Sequence, residues 1–92
     1  MEDVEMHGSH EAVANRLKRA HGHLQNVISM LEEDRACLDV AQQLHAVERA
    51  IGAAKQLLIH DHIDHCLDRS LTAAPLSARQ MLGEFKAITK YL

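Results

Sequence analysis

Residues 60–66 read HDHIDHC, so three histidines, two aspartates and a cysteine lie within seven positions. His62 and Cys66 are four residues apart, and in a helix such side chains share one face. An imidazole and a thiolate at this spacing can act as two ligands for a transition metal ion. Histidines near a helix C-terminus can instead simply complement the helix dipole, but an exposed cysteine is costly to keep unless it is used. The pair therefore predicts a metal site, with Asp61 and Asp64 as outer hydrogen-bond acceptors or solvated charges.

Cys37 is the third candidate ligand. We expect it in the first turn of a helix that starts near Asp34, where the helix dipole favours the metal-binding thiolate; the alternative is a small buried apolar residue. Cys37 precedes His62 by 25 residues, which is roughly 37 Å of continuous helix. The ligands cannot meet within one chain, but two antiparallel copies of the helix bring the start of one beside the end of the other. This arrangement predicts a site made by Cys37 from one subunit with His62 and Cys66 from its partner.

Apolar periodicity predicts three helices. Ser9 is the expected N-cap of the first, the run EEDR ends it, and Asp34 is the expected cap of the second. Ser77 and Gln80 form a predicted capping box for a short third helix. The stripe of the first helix is Val13, Leu17, Ala20, Leu24, Val27 and Leu31. The stripe of the second is Val40, Leu44, Val47, Ile51, Ala54 and Leu58, and that of the third is Met81, Phe85 and Ile88.

The composition favours one small all-α domain over residues 1–92, with 1–8 as a flexible tail. Of the 92 residues only Phe85 and Tyr91 are aromatic, and the chain contains a single proline. A domain of this size is marginally stable alone, and two long antiparallel helices bury only one face each. We therefore expect a three-helix protomer that dimerises into an antiparallel four-helix bundle. The sequence contains no apolar run long enough to span a membrane and no apolar signal core, so we expect a cytoplasmic location without membrane association.

A basic segment in the first helix predicts contact with nucleic acid despite the net charge of −3. Residues 12–31 contain no acidic side chain but contain Arg16, Lys18 and Arg19. Arg49 and Lys55 of the second helix could extend this surface. Such charges suit phosphate contacts, although an ordinary solvated helix face is the alternative.

These features together resemble the CsoR/RcnR family of metal-responsive bacterial repressors. The matching segments are NRLKRAHGHLQNVISMLEEDRAC and VAQQLHAVERAIGAAKQLLIHDHIDHCLD, including the pattern R-x-K-R-x-x-G-x-L. The resemblance implies a disc-shaped tetramer, a dimer of dimers, whose metal ligands are Cys37, His62 and Cys66. It also implies a repressor that binds operator DNA without metal and dissociates on metal binding, which derepresses an efflux or resistance gene.

Three positions depart from the family pattern. Many members have an arginine where this chain has Glu48, and Arg49 is the neighbouring candidate to replace it. Copper-sensing members usually have a tyrosine at the position of Ala36. Formaldehyde-sensing members have an N-terminal proline and lack the second cysteine, whereas this chain begins Met1-Glu2 and keeps Cys66, so formaldehyde is not the expected inducer.

The donor atoms leave two kinds of inducer open. Two thiolates and one imidazole suit Cu(I), whereas a fourth, nitrogen ligand from the N-terminal tail would suit Ni(II) or Co(II). His7 is the first choice for that ligand and His10 the second. Because Ala36 replaces the expected tyrosine, the sequence favours nickel or cobalt, with copper as the alternative.

Two other functions compete with metal sensing. Cys37 and Cys66 could form a disulfide or polysulfide link in a persulfide-sensing repressor, although that branch of the family lacks the histidine corresponding to His62. A metal-storage helical bundle is the third interpretation, but storage has no use for a basic face. No nucleophile with a neighbouring base is recognisable, so we do not expect an enzyme.

Overall fold

The computed structural model describes residues 8–70 and 75–92, without the side chains of residues 66, 69, 70 and 75–77. Three helices make up almost all of this part: α1 is His10–Glu32, α2 is Cys37–Ser70 and α3 is Pro75–Thr89. The described residues contain no strand, which confirms the predicted all-α class. No helix among them combines the length and the apolarity that a membrane span requires. The predicted tail, 1–8, lies outside the described residues except for Gly8.

The chain divides into two compact units, one of which is His10–Lys55 and the other of which contains Gln56–Leu92. The first unit is a helical hairpin of α1 and the first half of α2. Val27 of α1 packs with Val40 and Val47 of α2 to form its central cluster, against which Leu24 and Met30 are partly buried. Val27 and Val47 are each only 2% exposed. A four-residue connection holds these two helices antiparallel.

The connection between the two helices, residues 33–36, contains a Schellman motif that ends α1. The amide of Arg35 donates to the carbonyl of Met30 at 3.0 Å, and the amide of Asp34 donates to that of Leu31 at 3.1 Å. These two hydrogen bonds define a Schellman motif, which requires a left-handed backbone conformation at the residue that donates the second of them. Asp34 does so, with φ of 58°.

Asp34 therefore terminates α1 instead of starting α2. The prediction that Asp34 caps the second helix was wrong, because a residue in the left-handed region after a helix closes that helix. Ala36 precedes the first residue of α2, Cys37, and its carbonyl accepts the amide of Val40 at 3.1 Å. An alanine has no side-chain acceptor for the free amides of the first turn.

Ser9 and Ser77 are the residues predicted to cap the N-termini of α1 and α3. Ser9 immediately precedes α1 as predicted, but its buried Oγ makes no hydrogen bond within the described residues, so it does not cap the helix amides. The predicted capping box beginning at Ser77 was wrong, because α3 already begins at Pro75. Proline suits the first helical position since its missing amide hydrogen would have no helical partner there.

Only every second member of each predicted apolar stripe is buried in the hairpin. Val13, Ala20 and Val27 are buried on α1, and Val40, Val47 and Ala54 are buried on α2. The alternate members remain exposed or half-buried. Leu17 is 42%, Leu31 58%, Leu44 48% and Ile51 44% exposed, and Leu24 is half-buried. The hairpin therefore has a narrow core and leaves a second apolar surface uncovered.

The unit that contains Gln56–Leu92 is described separately. Ile59 is its buried residue at 2% exposure, and Met81, Phe85 and Ile88 are half-buried along α3. These three confirm the apolar stripe predicted for the third helix. At the end of α3 the hydroxyl of Thr89 donates to the carbonyl of Lys86 at 2.7 Å.

The left-handed conformation of Asp34 generates a stability prediction. Asp34→Gly should raise the free energy of unfolding by about 0.5–1 kcal/mol, because glycine adopts positive φ without steric penalty. Urea denaturation followed by circular dichroism, at one fixed protein concentration, measures the change. Glu33→Gly is the matched control and should lower stability, since Asp34 is the one non-glycine residue with positive φ among those described. A less stable Asp34→Gly variant would contradict the assignment of this turn.

Candidate metal centre and nucleic-acid interface

Cys37 is the first residue of α2 and carries an exposed free thiol. It follows the Schellman connection directly, so the end of α1 fixes its position in the hairpin. At a helix start, unpaired backbone amides and the positive end of the dipole favour an anionic side chain. Cys37 is thus accessible to an ion at the first residue of α2.

His62 and Cys66 lie on the same helix, α2, and are separated by one helical turn. The side chain of His62 is half-buried, and that of Cys66 lies outside the described part of the chain. Along the same stretch Asp61 and His65 are half-buried, whereas His60 and Asp64 are exposed. The helix confirms the spacing that the prediction requires and leaves the ligand role of Cys66 a prediction.

The described residues of one chain do not by themselves form a metal site. Among the described residues, no three histidine, cysteine, aspartate or glutamate side chains lie close enough to hold one ion. Cys37 and His62 both belong to α2, 25 positions apart, and they fall in different compact units of the chain. His7 lies outside the described residues, and His10 begins α1. The ligand set Cys37, His62 and Cys66 therefore stays a prediction, and its imidazole and thiolate groups are of the type that transition metals bind.

Three arginines of the hairpin line two neighbouring grooves. The first, which we call the arginine groove, has a volume of about 220 Å³. It is lined by Arg16, Arg19, Ala20, His23, Ala50 and Ala53. The second groove is lined by Gln42, His45, Ala46, Arg49 and Ala50. Ala50 belongs to both, so Arg16, Arg19 and Arg49 border one continuous surface. Lys18 and Lys55 are exposed but line neither groove.

An apolar groove is found on the other side of the hairpin. It is lined by Leu24, Leu44, Val47, Glu48 and Ile51. At 100° per residue, Ala50 and Ile51 fall on opposite sides of the core position Val47, which separates this groove from the arginine groove. The uncovered leucine and isoleucine side chains thus lie opposite the arginines.

Glu48 and Arg49 line different grooves, although Glu48 also contacts His45, which lines the second basic groove. Glu48 borders the apolar groove and lies 3.6 Å from Nδ1 of His45, whereas Arg49 borders the basic surface. The glutamate found where relatives often have arginine is therefore at the edge of the apolar side. Arg49 lines a groove that shares Ala50 with the arginine groove, so it adjoins the surface that carries Arg16 and Arg19.

Small residues of α2 border the arginine groove. Ala50 and Ala53 are exposed at the base of the arginine groove, and the fully buried alanine is Ala54, with 0% exposure. A Cβ added at Gly52 would meet nothing within 4 Å. The small side chains at 50 and 53 thus open a groove between the helices.

Sequence reasoning missed one polar contact in this region. Nε2 of His23 lies 2.7 Å from Oε1 of Gln43, and this hydrogen bond joins α1 to α2 at the arginine groove. The two residues are 20 positions apart. The only signal in the sequence was a histidine within the basic segment, and its partner follows only from the antiparallel pairing.

Comparison with known proteins identifies the family. Residues 9–91 match the family described as metal-sensitive transcriptional repressor. The copper-sensing repressor CsoR of Mycobacterium ulcerans is 42% identical over 60 residues, which cover 65% of this chain and 51% of the relative. The copper-sensing repressor RicR of Mycobacterium tuberculosis is 34% identical over 74 residues, 80% of this chain and 77% of the relative. CsoR of Bacillus subtilis is 32% identical over 82 residues, 87% of this chain and 81% of the relative.

The alignment to the Mycobacterium ulcerans protein spans only about half of that relative. No solved structure matches this chain. The family is one of transcriptional repressors and not of enzymes, in agreement with the prediction from the sequence. The match over residues 9–91 includes all three helices, Cys37, His62, Cys66 and the basic surface, and it shows that this chain belongs to the metal-sensitive transcriptional repressor family.

Proposed function

We propose that this protein is a repressor that binds operator DNA in its metal-free form and releases it when a metal ion binds, derepressing a metal efflux or resistance gene. The observation that carries the proposal is the separation of an arginine-lined surface from an apolar surface on opposite sides of one hairpin. Contact with operator DNA implies that the protein acts in the cytoplasm.

The arginine surface suits the DNA backbone. Arg16, Arg19 and Arg49 are exposed on two grooves that share Ala50, and the described linings of these grooves contain no carboxylate. Guanidinium groups bind phosphate oxygens through several directed hydrogen bonds, and such contacts position a protein on the duplex. Lys18 and Lys55, outside the grooves, would contribute only to the longer-range field.

The apolar surface supports assembly into a larger protein. Leu17, Leu31, Leu44 and Ile51 are each more than 40% exposed, and they lie on the uncovered side of a narrow core. A contiguous apolar surface of this kind is usually covered by a partner in solution. We propose that two hairpins bury it in an antiparallel four-helix bundle and that two such dimers form a tetramer.

Dimerisation would also complete the metal site. We propose Cys37 of one subunit with His62 and Cys66 of the partner subunit as the ligands. The exposure of the Cys37 thiol supports this arrangement, since an exposed thiol is accessible to a metal ion and to a second chain. One imidazole and two thiolates supply the soft donors that Cu(I) prefers.

Copper is the inducer that we now favour over nickel or cobalt. The relatives named above are copper-sensing repressors, and these comparisons outweigh the absence of a tyrosine at Ala36. Nickel or cobalt sensing with His7, or in second place His10, as a fourth ligand is the second candidate. A thiol-based response through Cys37 and Cys66 is the third, and metal storage would not require the arginine surface.

Release of DNA by metal provides the first functional test. A DNA duplex selected from a random library by the metal-free protein should lose its fluorescence anisotropy when Cu(I) is added anaerobically. Ni(II), Co(II) and an organic persulfide are titrated in parallel and should be less effective. A failure to select any duplex would contradict the proposed repressor, whereas release only by nickel or cobalt, or only by persulfide, would replace copper as the inducer.

The ligand assignment predicts different effects for two neighbouring histidines. His62→Ala should abolish the release of DNA by metal and leave metal-free DNA binding unchanged, because it removes one of three ligands. Cys37→Ser should do the same. His60→Ala is the matched control, since His60 is an exposed histidine two positions away on α2, and it should respond like the wild type. An unchanged response of both ligand variants would refute the site.

The arginine surface predicts a change in salt dependence. Arg16→Ala and Arg49→Ala should each weaken binding to the selected duplex and reduce the slope of log K against log salt by about 0.9 for each phosphate that the variant no longer neutralises. Metal uptake should not change. Lys18→Ala removes the same charge from α1 outside both grooves and should have a smaller effect. Equal slopes for the Lys18 and Arg16 variants would show that the grooves do not contact DNA.

A further inference from the structure

We propose that the arginine groove holds one DNA phosphate and that His23 binds this phosphate only as an imidazolium, so that operator binding takes up a proton. The inference rests on the proposed function and adds to it a pH dependence and a phosphate ligand outside the arginine set. It comes from the contact between His23 and Gln43, which the metal-sensing role does not use.

The groove offers three donors to a phosphate. Arg16, Arg19 and His23 line it from α1, and Ala50 and Ala53 line it from α2. Because both alanines lack any side chain beyond Cβ, the groove keeps a volume of about 220 Å³, which leaves room for a phosphate group between the cationic side chains. His23 is half-buried there, so its ring is held at the wall of the groove.

The hydrogen bond to Gln43 fixes the tautomer of His23. The amide oxygen Oε1 can only accept, so Nε2 of His23, 2.7 Å away, must donate its hydrogen. In the neutral ring the remaining nitrogen, Nδ1, then has no hydrogen and cannot donate to a phosphate oxygen. Only protonation of Nδ1 turns it into a donor, and the resulting imidazolium adds a positive charge beside the phosphate.

The charged groups that face His23 determine the direction of the effect. On its own helix these are Arg16 and Arg19, and the α2 residues beside it, Gln43, Ala50 and Ala53, carry no charge. Among the described lining residues, therefore, no carboxylate partner is available to an imidazolium before DNA binds. A phosphate supplies that negative partner and favours the imidazolium, so DNA binding is linked to the uptake of a proton.

DNA binding and protonation of His23 are thermodynamically linked. Protonation of His23 is favoured in the complex, so the interaction with phosphate is present at low pH and disappears as the pH rises through the range in which the bound histidine titrates. DNA affinity should therefore fall with rising pH at constant ionic strength. The limiting slope is about tenfold in Kd per pH unit for each His23 that binds a phosphate.

The test is fluorescence anisotropy with the selected duplex between pH 6 and 8, using metal-free protein at constant ionic strength. The wild type should lose affinity by about threefold to tenfold across this range. His23→Gln should give a nearly flat profile, because the glutamine amide donates a hydrogen bond at every pH. His21→Gln is the matched control, since His21 is exposed on the same helix and does not line the groove, and it should keep the wild-type profile.

Gln43→Glu provides a second variant that does not remove the histidine. A carboxylate at position 43 would favour the imidazolium, so the loss of DNA affinity should shift to higher pH. This shift in midpoint is not expected from a merely structural change, and circular dichroism checks that the helices are retained.

The outcomes separate this inference from the proposed function. A wild type that binds DNA with no dependence on pH, or a His23→Gln variant that keeps the full dependence, would overturn the role of His23 and leave the repressor intact. A protein that binds no duplex at any pH would overturn both. A loss of pH dependence in the His21→Gln variant would assign the proton to His21 and also refute the proposal.

Discussion

The reversal of the chain at Asp34 is the constraint on which the surfaces of the hairpin depend. Two reverse hydrogen bonds, from Arg35 to Met30 and from Asp34 to Leu31, close α1 and turn the chain within four residues. Such a short connection allows only an antiparallel neighbour, and it places Val40 of α2 against Val27 of α1. The buried valines repeat every seven residues along α2, so once the first pair is set the rest of the register follows.

This register sorts the remaining side chains onto two sides. With Val27 and Val47 in the core, the adjacent helical positions fall to the left and right of the contact line. One side receives Leu24, Leu44 and Ile51, and the other receives the residues of the arginine groove. A net charge of −3 is therefore compatible with a basic surface, because no carboxylate lines either of the two grooves that carry the arginines. Glu48 illustrates this, since it borders the apolar groove one position away from Arg49.

The helices were predictable because each contains apolar residues that recur at helical spacing, and only short polar runs separate one helix from the next. It could not predict which half of each stripe would be buried. Val13 and Leu17 belong to the same apolar stripe, but the interface between the two helices is narrow. The leucine is therefore 42% exposed while the valine is buried. The cap at Asp34 was assigned to the wrong helix because aspartate favours both an N-cap and a left-handed turn, and the choice between them depends on the backbone.

The candidate sites divide in the same way. His62 and Cys66 were recognisable because four residues is a local spacing that any helix preserves. Their proposed partnership with Cys37 would be a relation between chains, on which one chain bears only through the exposure of the Cys37 thiol. The hydrogen bond between His23 and Gln43 lies between these cases, since it is within one chain but depends on the register of two helices. Local spacing is readable from sequence, whereas pairing across helices requires the fold.

Under the proposed function, the position of Cys37 would connect metal binding to the arginine groove. Cys37 belongs to the same compact unit as the arginine groove, and it is three residues from Val40, which packs against Val27. A ligand bond that pulls on the first turn of α2 acts on this valine pair, and the same helix supplies Ala50 and Ala53 to the groove. Coupling between two sites requires an element whose arrangement both ligands influence. We propose the α1–α2 interface as this element, because both helices line the arginine groove and Cys37 is the first residue of α2.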